Sequence, residues 1–224
     1  MQMTLDIRQK PTKAKINEIF TSIQGEGRFA GTRTMFIRFA GCTLCCSYCD
    51  TKYAWDEGKE MSVNKIISMI NNEPNAERIC ITGGEPLLQK EAVKEIVDRS
   101  PKPANIETNG VHNFSDLNCP CTVDIKMPSA KLDNYNLRQH YKARPMDEFK
   151  IVISDQKDFL RAVATIQSLR DAGLENTVWI SPAYGQINPK KLASWILENP
   201  FIRGDVRMQL QIHKYIWNPK KRGV

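Results

Sequence analysis

The chain has 224 residues, 41% of them hydrophobic and 25% charged, a composition that excludes a mainly disordered protein and leaves ample chain for one sizeable core. Its 32 Lys and Arg against 25 Asp and Glu give a net charge of +7, which fits an acidic protein partner, an anionic small molecule or nucleic acid without choosing among them. No apolar run approaches the ~18 residues of a membrane-spanning helix, and Met1 to Lys15 carries Asp6, Arg8, Lys10 and Lys13 with no hydrophobic stretch behind them, so a cytoplasmic chain is expected.

The first candidate strand, Ile16 to Phe20, leads into Ser22-Ile23-Gln24-Gly25-Glu26-Gly27, and the second, Met35 to Phe39, into Gly41 and a cysteine cluster. Ser62 then caps a helix whose apolar stripe is Val63, Ile66, Ile67 and Ile70. A strand over Ile79 to Thr82 ends in Gly83-Gly84-Glu85-Pro86, and the next helix carries Leu88, Ala92, Val93, Ile96 and Val97 on one face. Strands over Asn105 to Glu107 and Thr122 to Ile125 follow, then the longest candidate loop, Pro128 to Met146, a loop or lid insertion.

After a strand at Phe149 to Ile153, a helix runs from Asp155 as N-cap through Phe159, Leu160, Val163, Ile166 and Leu169 to Gly173. A strand at Thr177 to Ile180, a helix opened by Asn188-Pro189 with Leu192, Trp195 and Ile196, and a last strand at Arg207 to Gln211 complete the order. Strands alternating with helices predict βα units on a mostly parallel sheet. A full eightfold barrel typically takes ~250 residues, so the expected fold is α/β, a partial, opened and shortened TIM-like barrel in a single domain spanning 1–224. In such folds the functional groups gather at the carboxyl ends of strands.

Seven cysteines, four of them (Cys42, Cys45, Cys46 and Cys49) within eight residues, are hard to reconcile with a disulfide framework and point to a reducing compartment. Zinc usually takes two separated pairs of ligands; here the pairs abut, although Cys119-Pro-Cys121 could complete a site with one of them. The subset Cys42, Cys46 and Cys49 suits an iron-sulfur cubane with one iron left open to a substrate or cofactor. Gly83-Gly84 allows close approach of backbone to a ligand, and Glu85 is placed to accept from an amine.

Cys42-x3-Cys46-x2-Cys49 together with Gly83-Gly84-Glu85-Pro86 resembles the radical S-adenosylmethionine (SAM) superfamily. The resemblance implies that the three cysteines hold a 4Fe-4S cluster whose open iron chelates SAM, with Tyr48, Gly84, Glu85, Lys126 and Ser129 on the SAM side. Adding Ser22 to Gly27, Arg38-Phe39-Ala40-Gly41-Cys42, Cys49-Asp50-Thr51 and His213-Lys214-Tyr215, nearly the whole chain is similar to the 7-carboxy-7-deazaguanine synthase family. That likeness implies ring contraction of 6-carboxy-5,6,7,8-tetrahydropterin with loss of ammonia, on the route to 7-deazapurine tRNA bases.

It further implies pterin contacts from Ile23, Gln24, Gly25, Glu26, Thr82, His213 and Pro219, with Arg38 facing the substrate carboxylate and Thr51 ligating Mg²⁺. A planar guanidinium and Gln and Glu side chains suit a carboxylate and a pterin edge respectively. A homodimer and an acidic electron donor such as flavodoxin or ferredoxin are expected as partners, with no direct nucleic-acid or membrane contact. A glycyl-radical-enzyme activase and a non-catalytic metal-cluster module binding nucleic acid are the rival readings. A peptide glycine offers Arg38 no carboxylate, and the chain lacks the interleaved aromatic and basic residues of a single-stranded RNA platform. Cys45 stands as an extra thiol, and Lys220-Lys221-Arg222 as the one dense basic cluster.

Overall fold

The computed structural model describes residues 12–219 and 221–224; Asp6, Arg8, Lys10 and Lys220 lie outside the described residues. Nine strands, β1 (Lys13–Ile23), β2 (Arg33–Phe39), β3 (Lys59–Ser62), β4 (Arg78–Gly83), β5 (Ala104–Thr108), β6 (Cys121–Ile125), β7 (Glu148–Ile153), β8 (Val178–Pro182) and β9 (Val206–Met208), form one sheet in the order β3-β1-β2-β4-β5-β6-β7-β8-β9. From β2 through β9 the pairing is parallel, and the sheet is open, with β3 and β9 at its edges. The opened-barrel α/β fold is therefore as expected.

The hydrophilic β3, Lys-Glu-Met-Ser, has no apolar alternation to announce it, and it forms by pairing antiparallel with the start of β1. β1 also runs antiparallel to β2, so the Gln24 to Gly27 segment does not follow a parallel strand's carboxyl end. It crosses the concave face of the sheet instead. Gly27 there sits at φ +70°, where any Cβ would meet Glu148 Oε1 at 2.4 Å, a position only glycine takes without strain.

Four helices, α1 (Val63–Asn71), α2 (Lys90–Arg99), α3 (Gln156–Asp171) and α4 (Pro189–Glu198), join the strands, with a final turn, α5 (His213–Ile216). Ser62 and Asp155 cap α1 and α3 as the sequence predicts, accepting from the amides of Lys65 and Asp158. Two expected core positions face water: Leu160 is 58% and Leu88 40% exposed. Leu88 precedes α2 in a short 3-10 turn, Pro86–Gln89, so it falls outside the helix whose stripe it was assigned to. Among the described residues no helix is long and apolar enough to cross a membrane.

Alternation along the parallel strands separates the core from the site. Ile37, Ile81, Ile106, Val123, Ile151 and Ile180 point one way and join the apolar stripes of the helices in a single buried cluster. The intervening residues Phe36, Arg38, Thr82, Glu107, Asp124 and Lys150 line a cavity on the concave face, as the period of two in a strand requires. The 128–146 stretch is anchored near this cavity. The Tyr135 hydroxyl accepts from Lys126 N (3.2 Å) and donates to Asp124 O (3.0 Å), while Arg144 ion-pairs with Asp147 at 2.7 Å.

Candidate active site

The concave face encloses a cavity of about 630 Å³, within the usual range of a small-molecule site. One wall is the loop after β2. Its backbone is stitched to the end of β4: Gly84 N donates to Phe39 O (3.0 Å) and Glu85 N to Gly41 O (2.7 Å). A Cβ on Gly84 would lie 2.2 Å from Gly41 O and 2.9 Å from Cys42 Cβ. The paired glycines thus let the β4 end press against the cysteine loop, a use that the expectation of ligand approach did not include.

Cys42, Cys46 and Cys49 all border the cavity, whereas Cys45 is exposed and off the wall. None is disulfide-bonded. Burial pushes the Cys42 thiol up to about 11 and raises that of Cys46. Among the described residues no three His, Cys, Asp or Glu side chains are placed to hold one metal ion. A cubane offers each thiolate its own iron, so three unbridged thiols bordering one cavity fit the cluster. Cys119 and Cys121 cannot join them. They are buried at the amino end of β6, where Arg144 Nη2 contacts Cys119 O and Cys121 Sγ, and the cysteine loop follows the carboxyl end of parallel β2. Cys45→Ala is expected to retain the iron that Cys42→Ala loses, measured as iron and sulfide bound after anaerobic reconstitution.

Next to the thiols, Tyr48, Gly84, Thr108, Asn109 and Lys126 complete this side. Burial pushes the Tyr48 phenol up to about 12. Burial works against the charge of Lys126, but Asp124, 3.2 Å away, together with Tyr48 and Cys46 outweighs it and holds the ammonium in its charged form. Asn109 Nδ2 is buried and has no hydrogen-bond partner among the described residues, an orphan donor on the cavity wall that suits an anionic ligand such as the carboxylate of SAM.

Two residues expected on the SAM side lie elsewhere. Glu85 is fully buried and outside the wall, its carboxylate taken by Thr108 Oγ1 (2.8 Å), Asn109 N (2.8 Å) and Leu87 N (2.9 Å); burial lifts it to about 7 despite these bonds. It is a tie between the ends of β4 and β5. Ser129 is half-buried, its hydroxyl donates to Asp158 Oδ2 at 2.5 Å, and it too is absent from the cavity lining.

The remaining expected residues also border the cavity. Ile23, Gln24, Gly25, Glu26, Arg38, Thr82, Thr51, His213 and Pro219 all line the cavity. The side chain of Gln24 is turned inward, however: Nε2 donates to Glu107 Oε1 (3.1 Å) and Oε1 accepts from Gly25 N (2.8 Å), so it braces Glu107, which also accepts from Thr82 Oγ1 (3.0 Å). Glu26 accepts from Lys150 Nζ and Gln211 Nε2, each at 2.9 Å. Burial alone would raise Glu26, but the Lys150 ammonium holds it below its ordinary value. Thr51 Oγ1 lies 3.6 Å from Cys49 Sγ, and neighbouring Asp50, ion-paired to Lys214 at 2.7 Å, sits at about 2 because that cation overrides its burial. Burial lowers the His213 imidazole, whose ring packs where a Cβ on Gly25 would be.

Asp124, Lys150 and Gln211 were not foreseen, and Glu107 and Asn109 only as polar residues following a strand. The alternation Thr122, Asp124, Lys126 against Val123 and Ile125 was the available signal, since a parallel strand covered on both faces reads as apolar throughout and this one does not.

The radical SAM superfamily profile matches residues 36–192, from β2 into α4. The chain is 38% identical to a 7-carboxy-7-deazaguanine synthase from Clostridium acetobutylicum, over 94% of this chain and 99% of that protein. The chain belongs to the 7-carboxy-7-deazaguanine synthase family of the radical SAM superfamily. A second family member, from Methanospirillum hungatei, is 40% identical over 92% of this chain and 86% of its own length. The fold is similar to the crystal structure of QueE from Escherichia coli, with a TM-score of 0.65 at 21% identity, covering 88% of this chain and 94% of that one. The segments at 23–26 and 211–219 that close the cavity lie outside the superfamily match, so it is the likeness to whole synthases of this family that takes them in.

Proposed function

We propose that this radical SAM enzyme converts 6-carboxy-5,6,7,8-tetrahydropterin to 7-carboxy-7-deazaguanine with loss of ammonia, in the biosynthesis of 7-deazapurine tRNA bases. The observation that carries the reading is one cavity bordered both by three unbridged thiols and by Arg38, which is held by Glu18 at 2.8 Å.

Cys42, Cys46 and Cys49 would hold the 4Fe-4S cluster, and Tyr48, Gly84, Asn109 and Lys126 would receive SAM. When bound, these two groups supply the one-electron chemistry that starts the ring contraction. The protein's own part is orientation and exclusion of water. Arg38 fixes the carboxylate end of the pterin, while the Glu26, Lys150 and Gln211 network presents fixed acceptors to its ring. Thr51 would contribute a neutral hydroxyl to Mg²⁺, an arrangement that needs the substrate carboxylate and waters to complete the octahedron. The reading also includes a cytoplasmic homodimer served by an acidic electron donor such as flavodoxin or ferredoxin, for which the +7 net charge is the support.

The test is an anaerobic assay of reconstituted protein with SAM, dithionite, Mg²⁺ and the carboxylated pterin, followed by mass spectrometry. Both 5′-deoxyadenosine and the deazaguanine product are expected. Formation of 5′-deoxyadenosine without the deazaguanine would overturn the substrate assignment and leave the superfamily chemistry standing.

A further inference from the structure

The segment after β9 is laced to the strap that crosses the concave face. Gly27 N donates to Gln209 Oε1 (2.6 Å), Gln209 Nε2 returns to Gly27 O (3.1 Å), and Ile212 N donates to Gly25 O (3.3 Å). Gln211 stands between these bonds, 7% exposed and on the cavity wall. Its amide orientation is settled by chemistry. Nε2 donates to Glu26 Oε1 at 2.9 Å, and a flipped amide would set a carbonyl oxygen against a carboxylate oxygen. Gln211 Oε1 therefore turns away from Glu26, and it is buried with no hydrogen-bond partner among the described residues.

Buried carbonyl oxygens in native proteins are almost always paired, and leaving one unpaired is costly. Gln211 borders the cavity, so a molecule that fills it is a source for the missing donor. The surroundings say which kind. Glu26 beside it is ionised and held by Lys150 at 2.9 Å, so this part of the wall offers a carboxylate and a carbonyl, acceptors both. Arg38, the cation suited to the carboxylate of the substrate, belongs to β2, four strands away from β7 and its Lys150 in the sheet order. The acceptor pair thus addresses an N–H-bearing edge, opposite in character to the end read by Arg38.

We infer that Gln211 is a specificity-determining residue whose Oε1, next to the Glu26 carboxylate, accepts a hydrogen bond from the N–H donors of the aminopyrimidinone edge of the substrate. This rests on the pterin reading above. A pocket built to accept from an N–H rejects an analogue without it far more strongly than an apolar pocket rejects a change of size, so the amide is a device for refusing ring systems that lack the 2-amino group.

The experiment measures anaerobic dissociation constants of the reconstituted, SAM-bound protein for 6-carboxytetrahydropterin and for its counterpart with hydrogen in place of the 2-amino group. The wild type is expected to prefer the amino compound by about 10²-fold or more, and Gln211→Met by less than about tenfold, with SAM affinity and iron content unchanged. Gln211→Asn, which stays polar but withdraws the carbonyl by one methylene, serves the same purpose if the Met variant fails to fold. An undiminished preference in a folded variant overturns the inference while leaving the substrate assignment intact. If the wild type binds SAM and iron but neither pterin, the substrate assignment itself falls and takes the inference with it.

Discussion

Lys150→Met is expected to destabilise the protein by about 3–5 kcal/mol at neutral pH, because it strands buried carboxylates rather than merely deleting a charge. Lys150 Nζ lies 2.9 Å from Glu26 Oε2 and 3.4 Å from Asp124 Oδ2, with side chains 9%, 10% and 18% exposed. Asp124 retains Lys126 at 3.2 Å, and Glu26 retains the Gln211 amide, which places the cost toward the lower end of the range. Glu26 suffers most, since its remaining partner is neutral.

The pH dependence distinguishes this account from loss of packing. Burial acts to raise Glu26, and Lys150 more than reverses it, so the folded value lies below the unfolded one. The wild-type contribution is therefore present above the unfolded value near 4.5 and is lost as pH falls through the depressed folded value. Without Lys150, burial acts unopposed by its main partner and the folded value rises above the unfolded one. The penalty is then full at neutral pH and shrinks as pH falls toward 4.5, because a protonated Glu26 needs no cation. Urea unfolding of both proteins at pH 7.5 and pH 5 measures it. A difference of the same size at both pH values would mean that only packing had been lost.

The same network shows where sequence reading stops. Spacing alone brings out the cysteine loop, Gly83-Gly84 and the caps Ser62 and Asp155, because each is a local constraint written in adjacent residues. Lys150 and Glu107 are isolated letters inside short strands, EFKIVI and ANIET. Nothing within β5 or β7 says that they flank β6 on one face, two residues apart in register; that follows from the pairing of Glu107 with Thr122 and of Asp124 with Lys150. The partners of Glu85 were hidden for a related reason. The residues that consume its carboxylate, Thr108 and Asn109, come from the next strand. The antiparallel β1 escaped because an apolar strand pattern carries no direction, and its consequence is that Gln24 and Glu26 reach the cavity from across the sheet. Gln209 and Gln211, read as the end of a strand, leave the ladder after Met208 to hold that strap.

Arg38→Met is expected to lower kcat/KM for 6-carboxytetrahydropterin by about 10²–10³, the equivalent of about 3–4 kcal/mol for two charge-assisted hydrogen bonds. The arginine is prepared for this task. Nε is tied to Glu18 Oε1 at 2.8 Å, Glu18 is itself held by the Tyr53 hydroxyl at 2.9 Å, and the guanidinium lies 5.7 Å from the Phe20 ring. Among the described residues neither Nη has a hydrogen-bond acceptor, so the fork is fixed from behind and open in front. Burial works against its charge, but Tyr53 and Glu18 more than offset that and keep it protonated. Little side-chain freedom remains to be lost on binding. Arg38→Lys keeps the charge without the planar fork and is expected to recover only part of the loss. The control is a tetrahydropterin lacking the 6-carboxylate, which should bind wild type and Arg38→Met with similar affinity. Equal weakening for both pterins would show that Arg38 acts by holding Glu18 and Tyr53 in place, and an undiminished kcat/KM would pass the carboxylate to another cation of the cavity wall, such as Lys126 or Lys214.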